Sequence, residues 1–307
     1  MGRFIQLVIG PAGVGKSTYC KTMQEHGQTT SRTIHVGNLD PAAEHFEYTP
    51  AFDVREFIKL DEVMTDTGYG PNGGLVFCME MLMQNIDWLE DQLEQFGEDD
   101  YLIIDCPGQI ELYSHLPVMK NLAAAMTNWG YRLVCVYLID SLFVLEPSKF
   151  IAGCMLSLSC MLQLELPFVN VVTKCDIADK EQVDMVLESE GSWMINHLDK
   201  ASNPKFKKLS QALGSVIDDY MMVSFSTLDI SDEESVADIL AKADHAIQYG
   251  MPKIILFIYI HIQPCICCSF CSLYVIGEDI EPKEPRDEDY HEGEGEGDHD
   301  HDHGDYA

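Results

Sequence analysis

Short apolar stretches alternate with longer amphipathic stretches along most of this sequence. Several apolar stretches are nearly continuous and rich in β-branched residues, which is typical of strands buried on both faces. The stretches between them repeat their apolar residues at helical spacing. This alternation predicts an α/β fold with a mostly parallel sheet and helices on both faces. Strands are expected at residues 4–9, 33–36, 101–104, 132–139, 168–173 and 221–225, and helices at 16–25, 74–96, 117–128, 148–164 and 232–249.

The size and charge of the chain limit how it is organised and what it binds. It has 307 residues, of which 46% are hydrophobic, enough for one large α/β domain or two smaller ones. The formal net charge is −32, so direct nucleic-acid binding and attachment to an anionic membrane are not expected, because like charges repel. A partner with a basic surface is the better match.

The cysteines and the start of the chain indicate a cytoplasmic protein. Eleven cysteines are present, most of them scattered through apolar segments, as is typical of reduced thiols in the cytosol. The first expected strand begins almost at Met1, so a signal peptide is not expected.

The first strand leads into the octapeptide Gly10-Pro11-Ala12-Gly13-Val14-Gly15-Lys16-Ser17, and an expected helix follows. In such a P-loop, backbone N–H groups and the positive end of the helix surround phosphate oxygens. Lys16 is expected to reach the β- and γ-phosphates, and Ser17 to ligate Mg²⁺. A glycine-rich turn is the alternative interpretation, but the spacing, lysine, hydroxyl and context all favour a nucleotide site. Its expected nucleotide ligands are Gly13, Val14, Gly15, Lys16, Ser17 and Thr18.

A second cluster, Asp105-Cys106-Pro107-Gly108-Gln109, follows the strand at residues 101–104. An aspartate at a strand end beside a P-loop can hold Mg²⁺ through a water. The Gly108 N–H can approach a γ-phosphate, and Gln109 is placed to orient an attacking water. An acidic turn after a strand is the alternative.

Thr173, Lys174 and Asp176 stand at the end of the strand at 168–173, where they predict recognition of a guanine base. The Asp176 carboxylate can accept hydrogen bonds from guanine N1–H and the exocyclic amine, which adenine does not offer. The Lys174 stem can lie over the base, and residues 224–227 are expected to contact the guanine carbonyl. GTPases usually have asparagine in place of Thr173, so a surface turn is the alternative.

Two further loops carry polar residues at helix or strand ends. Asp40 follows the second strand and is expected to lie near Mg²⁺ or to polarise the hydrolytic water. It could equally cap a helix, because Asp-Pro is a good helix start. In Gly70-Pro71-Asn72 the proline stiffens the loop, so Asn72 is presented in a fixed pose. Alone, that tripeptide is typical of a turn before a helix.

These motifs occur in an order and spacing that resemble the GPN-loop GTPases. Residues 70–80, 105–119 and 231–250 are most similar to the third eukaryotic paralogue, and the resemblance covers nearly all of residues 1–250. It implies a GTPase domain that binds GTP or GDP with Mg²⁺ and forms a constitutive dimer, either with itself or with a paralogue. The metal ligands would be Ser17, Asp40 and Asp105.

The resemblance also assigns roles within that dimer. It implies that Gly70, Pro71 and Asn72 reach into the partner's site, with Asn72 near the γ-phosphate in trans. Asp40, Gln109 and Glu111 are implied as residues that position the water. The family further implies a part in RNA polymerase II assembly and nuclear import, and so a cytoplasmic protein that enters the nucleus. Composition and spacing show nothing of that role.

Residues 251–277 form an apolar insert between this domain and the acidic tail at 278–307. Residues 254–276 lack charge and are long enough to cross a bilayer. However, Pro264 interrupts them, their flanks define no orientation, and their cysteines make only half a zinc site. In the resembling family the tail follows residue 250 directly, so a retained intron or a gene-annotation error is the preferred interpretation and a membrane segment the alternative.

The tail itself has fourteen acidic residues against two basic ones and is expected to be disordered and solubilising. Its alternating His and Asp residues, 299–303, could bind a divalent metal weakly.

Two rival functions stay open from the sequence. An ATP-using enzyme of the partition-ATPase type would carry a lysine early in the P-loop, where this chain has Pro11. A nucleotide-dependent scaffold with little hydrolysis would be expected to lack part of the motif set, and none is missing.

Overall fold

The structure, a computed structural model, describes residues 3–97, 100–188 and 224–249, together with positions 208, 209, 212, 215 and 216. Its strands are β1 (Arg3–Ile9), β2 (Ile34–Asn38), β3 (Pro50–Asp53), β4 (Tyr101–Asp105), β5 (Tyr131–Asp140), β6 (Phe168–Thr173) and β7 (Phe225–Thr227). They form one sheet in the order β3-β2-β4-β1-β5-β6-β7, and every pairing is parallel. The predicted α/β class with a parallel sheet is confirmed.

Helices cover both faces of this sheet. Alternate residues of β1 enter two separate apolar clusters, with Ile5 and Leu7 on one face and Phe4 and Val8 on the other. This is the pattern of a strand buried on both sides. The helices are α1 (Lys16–Thr29), α2 (Leu60–Thr67), α3 (Pro71–Gln84), α4 (Ile86–Glu94), α5 (Glu111–Ser114), α6 (Val118–Asn128), α7 (Ser141–Val144), α8 (Pro147–Leu164), α9 (Lys180–Glu188) and α10 (Glu233–Ile247), with a 3₁₀ turn at Val54–Glu56.

The helix expected at residues 74–96 is wrong as a single element. Asn85 leaves helical geometry, with φ −122° and ψ 44°, and separates α3 from α4. Its amide N–H still bonds the carbonyl of Met81 at 3.1 Å. Both helices pack against the same apolar cluster, which explains why the apolar spacing looked continuous.

The ends of other elements also differ from the expectation. β7 begins at Phe225, where the expected strand ended, and residues 221–223 lie outside the described residues. The insert at 251–277 and the tail at 278–307 lie outside them too, as does most of the polar segment after α9. Among the helices that are described, none combines the length and the apolarity required to cross a bilayer.

The carboxyl ends of the parallel strands meet at one edge of the sheet. Strand register pairs Val8 and Asn38 with Asp105, and Asp140 with Thr173. The loops that follow β1, β2, β4, β5 and β6 therefore lie side by side, which is where parallel sheets bind ligands.

The opposite edge holds a cation clamp made by Arg32, Tyr101, Asp244 and Tyr249. The Arg32 guanidinium lies 4.2 Å from the Tyr101 ring centre and 4.0 Å from that of Tyr249. It also makes two hydrogen bonds to the Asp244 carboxylate, at 2.6 and 2.8 Å. Because Asp244 belongs to α10, these contacts attach the end of that helix to the start of β4.

Candidate nucleotide-binding site

An open cavity of about 750 Å³ lies at the carboxyl edge of the sheet. The P-loop, the loop after β2, the start of α3 and the loop after β4 line it. It gathers most of the residues that the sequence predicted for the site, namely Gly13, Gly15, Lys16, Ser17, Thr18, Asp40, Pro71, Asn72, Asp105, Gly108, Gln109 and Glu111. Segments far apart in the sequence thus face one space large enough for a nucleotide's phosphates.

The P-loop has the backbone geometry that its glycines predict. Gly15, the residue immediately before α1, has φ 94°, a left-handed conformation that favours glycine. At Gly10 a Cβ atom would lie 2.6 Å from the carbonyl oxygen of Leu138, so a larger residue would displace β5. Lys16 Nζ donates to the carbonyl oxygens of Gly10 and Pro11 at 3.3 and 3.2 Å. The ammonium group therefore already lies over the loop into which a phosphate would bind.

Asp105 is fixed by two hydroxyl groups. Ser17 Oγ and the Tyr48 hydroxyl both donate to its Oδ2, at 2.6 and 3.0 Å. Burial raises the pKa of the Asp105 carboxyl, against the hydrogen bond from Ser17. Burial also raises the pKa of the Tyr48 hydroxyl, so the phenol keeps its proton and donates.

The other oxygen of Asp105, Oδ1, is buried and has no hydrogen-bond partner among the described residues. A buried acceptor without a donor costs free energy. A water bound to Mg²⁺ would supply that donor, and the Ser17 hydroxyl is a ligand that Mg²⁺ accepts. Ser17 and Asp105 therefore fit the metal site that the sequence predicted.

Asp40 lies in a turn and not at a helix start. Its Oδ1 accepts the Ala42 N–H at 2.9 Å, and no helix begins in the loop before β3, so the helix-cap alternative is wrong. The Asn38 side chain fixes the Asp40 backbone: its amide nitrogen donates to the Asp40 carbonyl, and its amide oxygen accepts the Asp40 N–H. Burial raises the pKa of the Asp40 carboxyl, while Lys16 and Arg55 oppose that rise.

The loop after β4 approaches the P-loop closely. A Cβ atom on Gly108 would lie 3.1 Å from both Lys16 Nζ and the Cα of Ala12, so a larger residue here would crowd the P-loop. Gln109 lines the cavity, and its buried Oε1 has no partner within the described part of the chain. Glu111 begins α5 and is exposed at the cavity. These positions suit residues that face a γ-phosphate and a water.

Gly70-Pro71-Asn72 forms the start of α3. Gly70 is extended, Pro71 is the first helical residue, and all three residues are exposed. Pro71 and Asn72 line the rim of the cavity. The alternative of a turn before a helix is therefore wrong for Pro71 and Asn72, because α3 begins at Pro71 and not at residue 74. The contact of Asn72 with a partner's site stays a prediction.

Thr173 connects the base-recognition motif to the P-loop. Its hydroxyl lies 2.7 Å from the carbonyl oxygen of Val14 and 3.1 Å from that of Ile139. Val14 is buried beneath the loop. Thr173, the last residue of β6, therefore contacts both the P-loop and the end of β5.

Lys174 and Asp176 lie beside the cavity rather than in it. Lys174 has φ 60°, and its Nζ donates to Asp140 Oδ2 at 2.6 Å. The Ser141 hydroxyl donates to the Lys174 carbonyl at 3.1 Å. Asp176 is exposed, as a residue that receives a base from solvent must be.

Sequence reasoning missed three residues that support this site. Tyr48 gave no signal, because an aromatic residue in a polar loop has many uses. Asp140 could have been found, because it is an aspartate at the end of an apolar strand, as Asp105 is. Arg55 follows β3, a strand of four residues that begins with proline and has too little hydrophobic pattern to be predicted.

Comparison with known proteins agrees with this geometry. Residues 8–249 match a family described as conserved hypothetical ATP binding protein. The GPN-loop GTPase 3 of Xenopus tropicalis is 49% identical over 81% of this chain and 90% of its own. That of Danio rerio is 45% identical over 94% of both, and that of Mycosarcoma maydis is 41% identical over 94% of this chain and 98% of its own.

Among solved structures, the apo form of a GTPase from Pyrococcus abyssi superposes with a TM-score of 0.66 at 23% identity. The match covers 79% of this chain and 97% of that chain. This likeness supports the fold. The curated relatives align over almost their whole length at 41–49% identity, and they show that the chain belongs to the GPN-loop GTPase family.

Proposed function

We propose that this protein binds GTP with Mg²⁺, hydrolyses it to GDP and phosphate, and works as a dimeric switch. The observation that carries the proposal is the convergence of Lys16, Ser17, Asp105 and Gln109 on one cavity. Two buried acceptors among them, Asp105 Oδ1 and Gln109 Oε1, have no partner within the described residues. Membership of the GPN-loop GTPase family supports the reaction.

The residues divide the work of phosphoryl transfer, in which positioning and charge stabilisation dominate. The P-loop N–H groups and Lys16 bind the phosphates. Ser17 and Asp105 would hold Mg²⁺, which neutralises charge on the phosphate oxygens. Gln109, with Asp40 or Glu111 beside it, would orient the attacking water. No covalent intermediate is needed.

Guanine selection is assigned to Asp176 and can be tested by changing the base. Asp176→Asn replaces one acceptor oxygen by a donor, which suits the carbonyl of xanthine in place of the guanine amine. We expect GTP affinity to fall and xanthosine triphosphate affinity to rise, each by about a hundredfold or more. Asp179→Asn, an exposed neighbour bonded to Gln182, is the matched control. Unchanged GTP affinity in the Asp176 variant would exclude this residue.

ATP is the second candidate nucleotide, because the description of the matching family names ATP. Competition of unlabelled GTP and ATP against a fluorescent GDP analogue on the wild-type chain separates the two. Displacement by ATP at the same concentration as GTP would refute guanine selectivity. No heat with either nucleotide in calorimetry would refute the proposal as a whole.

The dimer is supported by the exposure of Gly70, Pro71 and Asn72 at the cavity rim, and by the family resemblance. Mixing two inactive variants tests it. Asn72→Ala lacks the loop side chain, and Lys16→Ala lacks nucleotide binding. If Asn72 acts in trans, the mixture regains about a quarter of wild-type hydrolysis, because half of the dimers are mixed and each has one complete site. A mixture as inactive as its components places Asn72 in cis.

We extend the proposal to assembly and nuclear import of RNA polymerase II, with the protein cytoplasmic and entering the nucleus. The family resemblance supports this role, and the net charge of −32 favours a client with a basic surface. Depletion of the protein should leave polymerase subunits in the cytoplasm, and wild type but not Lys16→Ala should restore their import. Normal import after depletion would remove this part of the proposal.

A further inference from the structure

Within the described residues, the Tyr48 hydroxyl makes the one hydrogen bond to the Asp105 carboxylate that comes from outside the P-loop and β4. It donates to Asp105 Oδ2 at 3.0 Å, the same oxygen that accepts Ser17 Oγ at 2.6 Å. Both donors therefore use one oxygen of the carboxylate. Oδ1 is left without a partner among the described residues.

Tyr48 is held in this pose by its own loop. Its side chain is 5% exposed, and its ring stacks on Phe46 with centres 4.7 Å apart and planes 11° apart. The Arg55 guanidinium lies 4.5 Å from the centre of the Phe46 ring, a cation–π contact. The Tyr48 ring is therefore held by burial and by stacking on Phe46, whose ring also contacts Arg55.

Arg55 continues the chain of contacts to Asp40. It donates to both carboxylate oxygens of Asp53 and to the carbonyl of Ala43 at 2.9 Å. Asn38 donates to Asp53 at 2.8 Å and to the Asp40 carbonyl at 3.2 Å. One connected set of side chains thus joins Asp105 to the loop that carries Asp40.

We propose that Tyr48 is a positioning residue for the magnesium site. By occupying Asp105 Oδ2 together with Ser17, it fixes the carboxylate in one rotamer and leaves Oδ1 to accept a hydrogen bond from a magnesium-bound water. The same hydroxyl ties the Asp40 loop to the metal carboxylate. The inference rests on the proposed function, since the magnesium ion arrives with the nucleotide.

The test is the magnesium dependence of nucleotide binding by Tyr48→Phe, which keeps the ring and its stacking but loses the donor. Affinity for a fluorescent GDP analogue is measured in EDTA and then during a Mg²⁺ titration of the full chain. We expect the affinity in EDTA to match wild type within about twofold and the Mg²⁺ midpoint to rise about tenfold, the usual effect of losing a hydrogen bond to a charged group.

Tyr137→Phe is the matched control. Tyr137 is 1% exposed, and its hydroxyl is buried without a partner among the described residues. Removing it deletes the same atom from the same kind of side chain without breaking a hydrogen bond. Its Mg²⁺ midpoint should equal that of wild type.

A double variant shows whether Tyr48 acts through Asp105. In an Asp105→Asn background, the additional Tyr48→Phe change should shift the Mg²⁺ midpoint no further. An unchanged midpoint in the single variant would overturn the inference. So would an equal loss of affinity with and without Mg²⁺, because that result describes a general packing defect.

Phe46→Leu provides an independent variant if Tyr48→Phe does not fold. It keeps the Tyr48 hydroxyl but removes the ring against which Tyr48 stacks, so the Mg²⁺ midpoint should rise while affinity in EDTA is kept. Failure of wild type to bind the GDP analogue in EDTA or Mg²⁺ would refute the proposed function. Binding without any effect of these variants on magnesium refutes only the role of Tyr48.

Discussion

At the scale of the residue, Lys16 is the side chain whose surroundings must change most when a nucleotide binds. Its ammonium group now shares two carbonyl oxygens of its own loop. Phosphate oxygens are stronger acceptors for the ammonium group, because they carry negative charge whereas a carbonyl oxygen is neutral. Binding therefore replaces weak contacts of Lys16 by strong ones.

Lys16→Ala is expected to weaken GTP and GDP binding about a hundredfold or more, because it removes this charge from the phosphates. Calorimetric titration of both nucleotides measures the loss. Lys21→Ala is the control, since Lys21 lies on the same helix but pairs with Glu47 at the surface. Wild-type affinity in the Lys16 variant would remove Lys16 from its role.

Gln109→Leu should separate binding from hydrolysis. Leucine deletes an acceptor that has no partner among the described residues, so the free energy of unfolding should not fall. GTP affinity should be retained, and the single-turnover rate should drop about a hundredfold, because the attacking water loses its orientation. Gln95→Leu, an exposed change on the surface, is the control. An unaltered rate would show that another group positions the water.

At the scale of the element, β6 is tied to the P-loop through the Thr173 hydroxyl. Thr173→Val keeps the shape of the side chain but leaves the carbonyl of Val14 without this donor. GTP and GDP affinities should both fall about tenfold. The two losses should be equal because the change alters the geometry of the P-loop and removes no contact to the γ-phosphate. Fluorescence titration with each nucleotide measures this.

The control for Thr173 is Thr127→Val, because the Thr127 hydroxyl bonds only a carbonyl of its own helix, that of Ala123. Its nucleotide affinities should match wild type. A loss confined to GTP in the Thr173 variant would contradict a role in loop geometry.

The elements that sequence could predict are those with a strong, regular pattern. β1, β4 and β6 are apolar runs whose ends carry motif residues, so both their type and their position were found. β3 contains one buried residue, Phe52, and α2 is half polar, so neither stands out from a loop. The break at Asn85 depends on tertiary packing, which the spacing of apolar residues does not encode.

The residues of the site also fall into two groups, those that the sequence predicted and those that it did not. Lys16, Ser17, Asp105 and Gln109 were predictable because their motif spacing is imposed by the phosphate and the metal. Tyr48 reaches Asp105 across 57 positions of sequence, and nothing local to Tyr48 requires that contact. Residues that touch the ligand can thus be found by motif, whereas residues that hold them in place require the fold.

At the scale of the whole molecule, the clamp around Arg32 fastens the last described helix to the sheet. Arg32→Leu removes the ion pair with Asp244 and the contacts to two rings. The melting temperature should fall by about 5 °C or more, while GTP affinity at low temperature stays unchanged. Lys242→Ala is the control, because its ion pair with Asp238 is exposed. An unchanged melting temperature for Arg32→Leu would show that α10 is held by its apolar face alone.

The interpretation of residues 251–277 as a retained intron can be tested on the messenger RNA. If they are a retained intron, sequencing of messenger RNA across this join should recover spliced reads in which residue 250 leads directly into the acidic tail. A chain joined in that way should bind GTP as the full sequence does, because the cavity is built entirely from residues 12–111. Uniform inclusion of the insert in every read would refute the intron and return the membrane segment to first place.

The position of Tyr249 shows where a label can be attached to the chain, with or without the insert at residues 251–277. This residue is attached to Arg32 and Phe4, near the amino ends of the strands, whereas phosphate would bind at the other ends. A fluorophore or affinity handle fused immediately after Tyr249 is therefore joined on the far side of the sheet from the catalytic groups. Such a reporter should follow assembly with other subunits without slowing turnover.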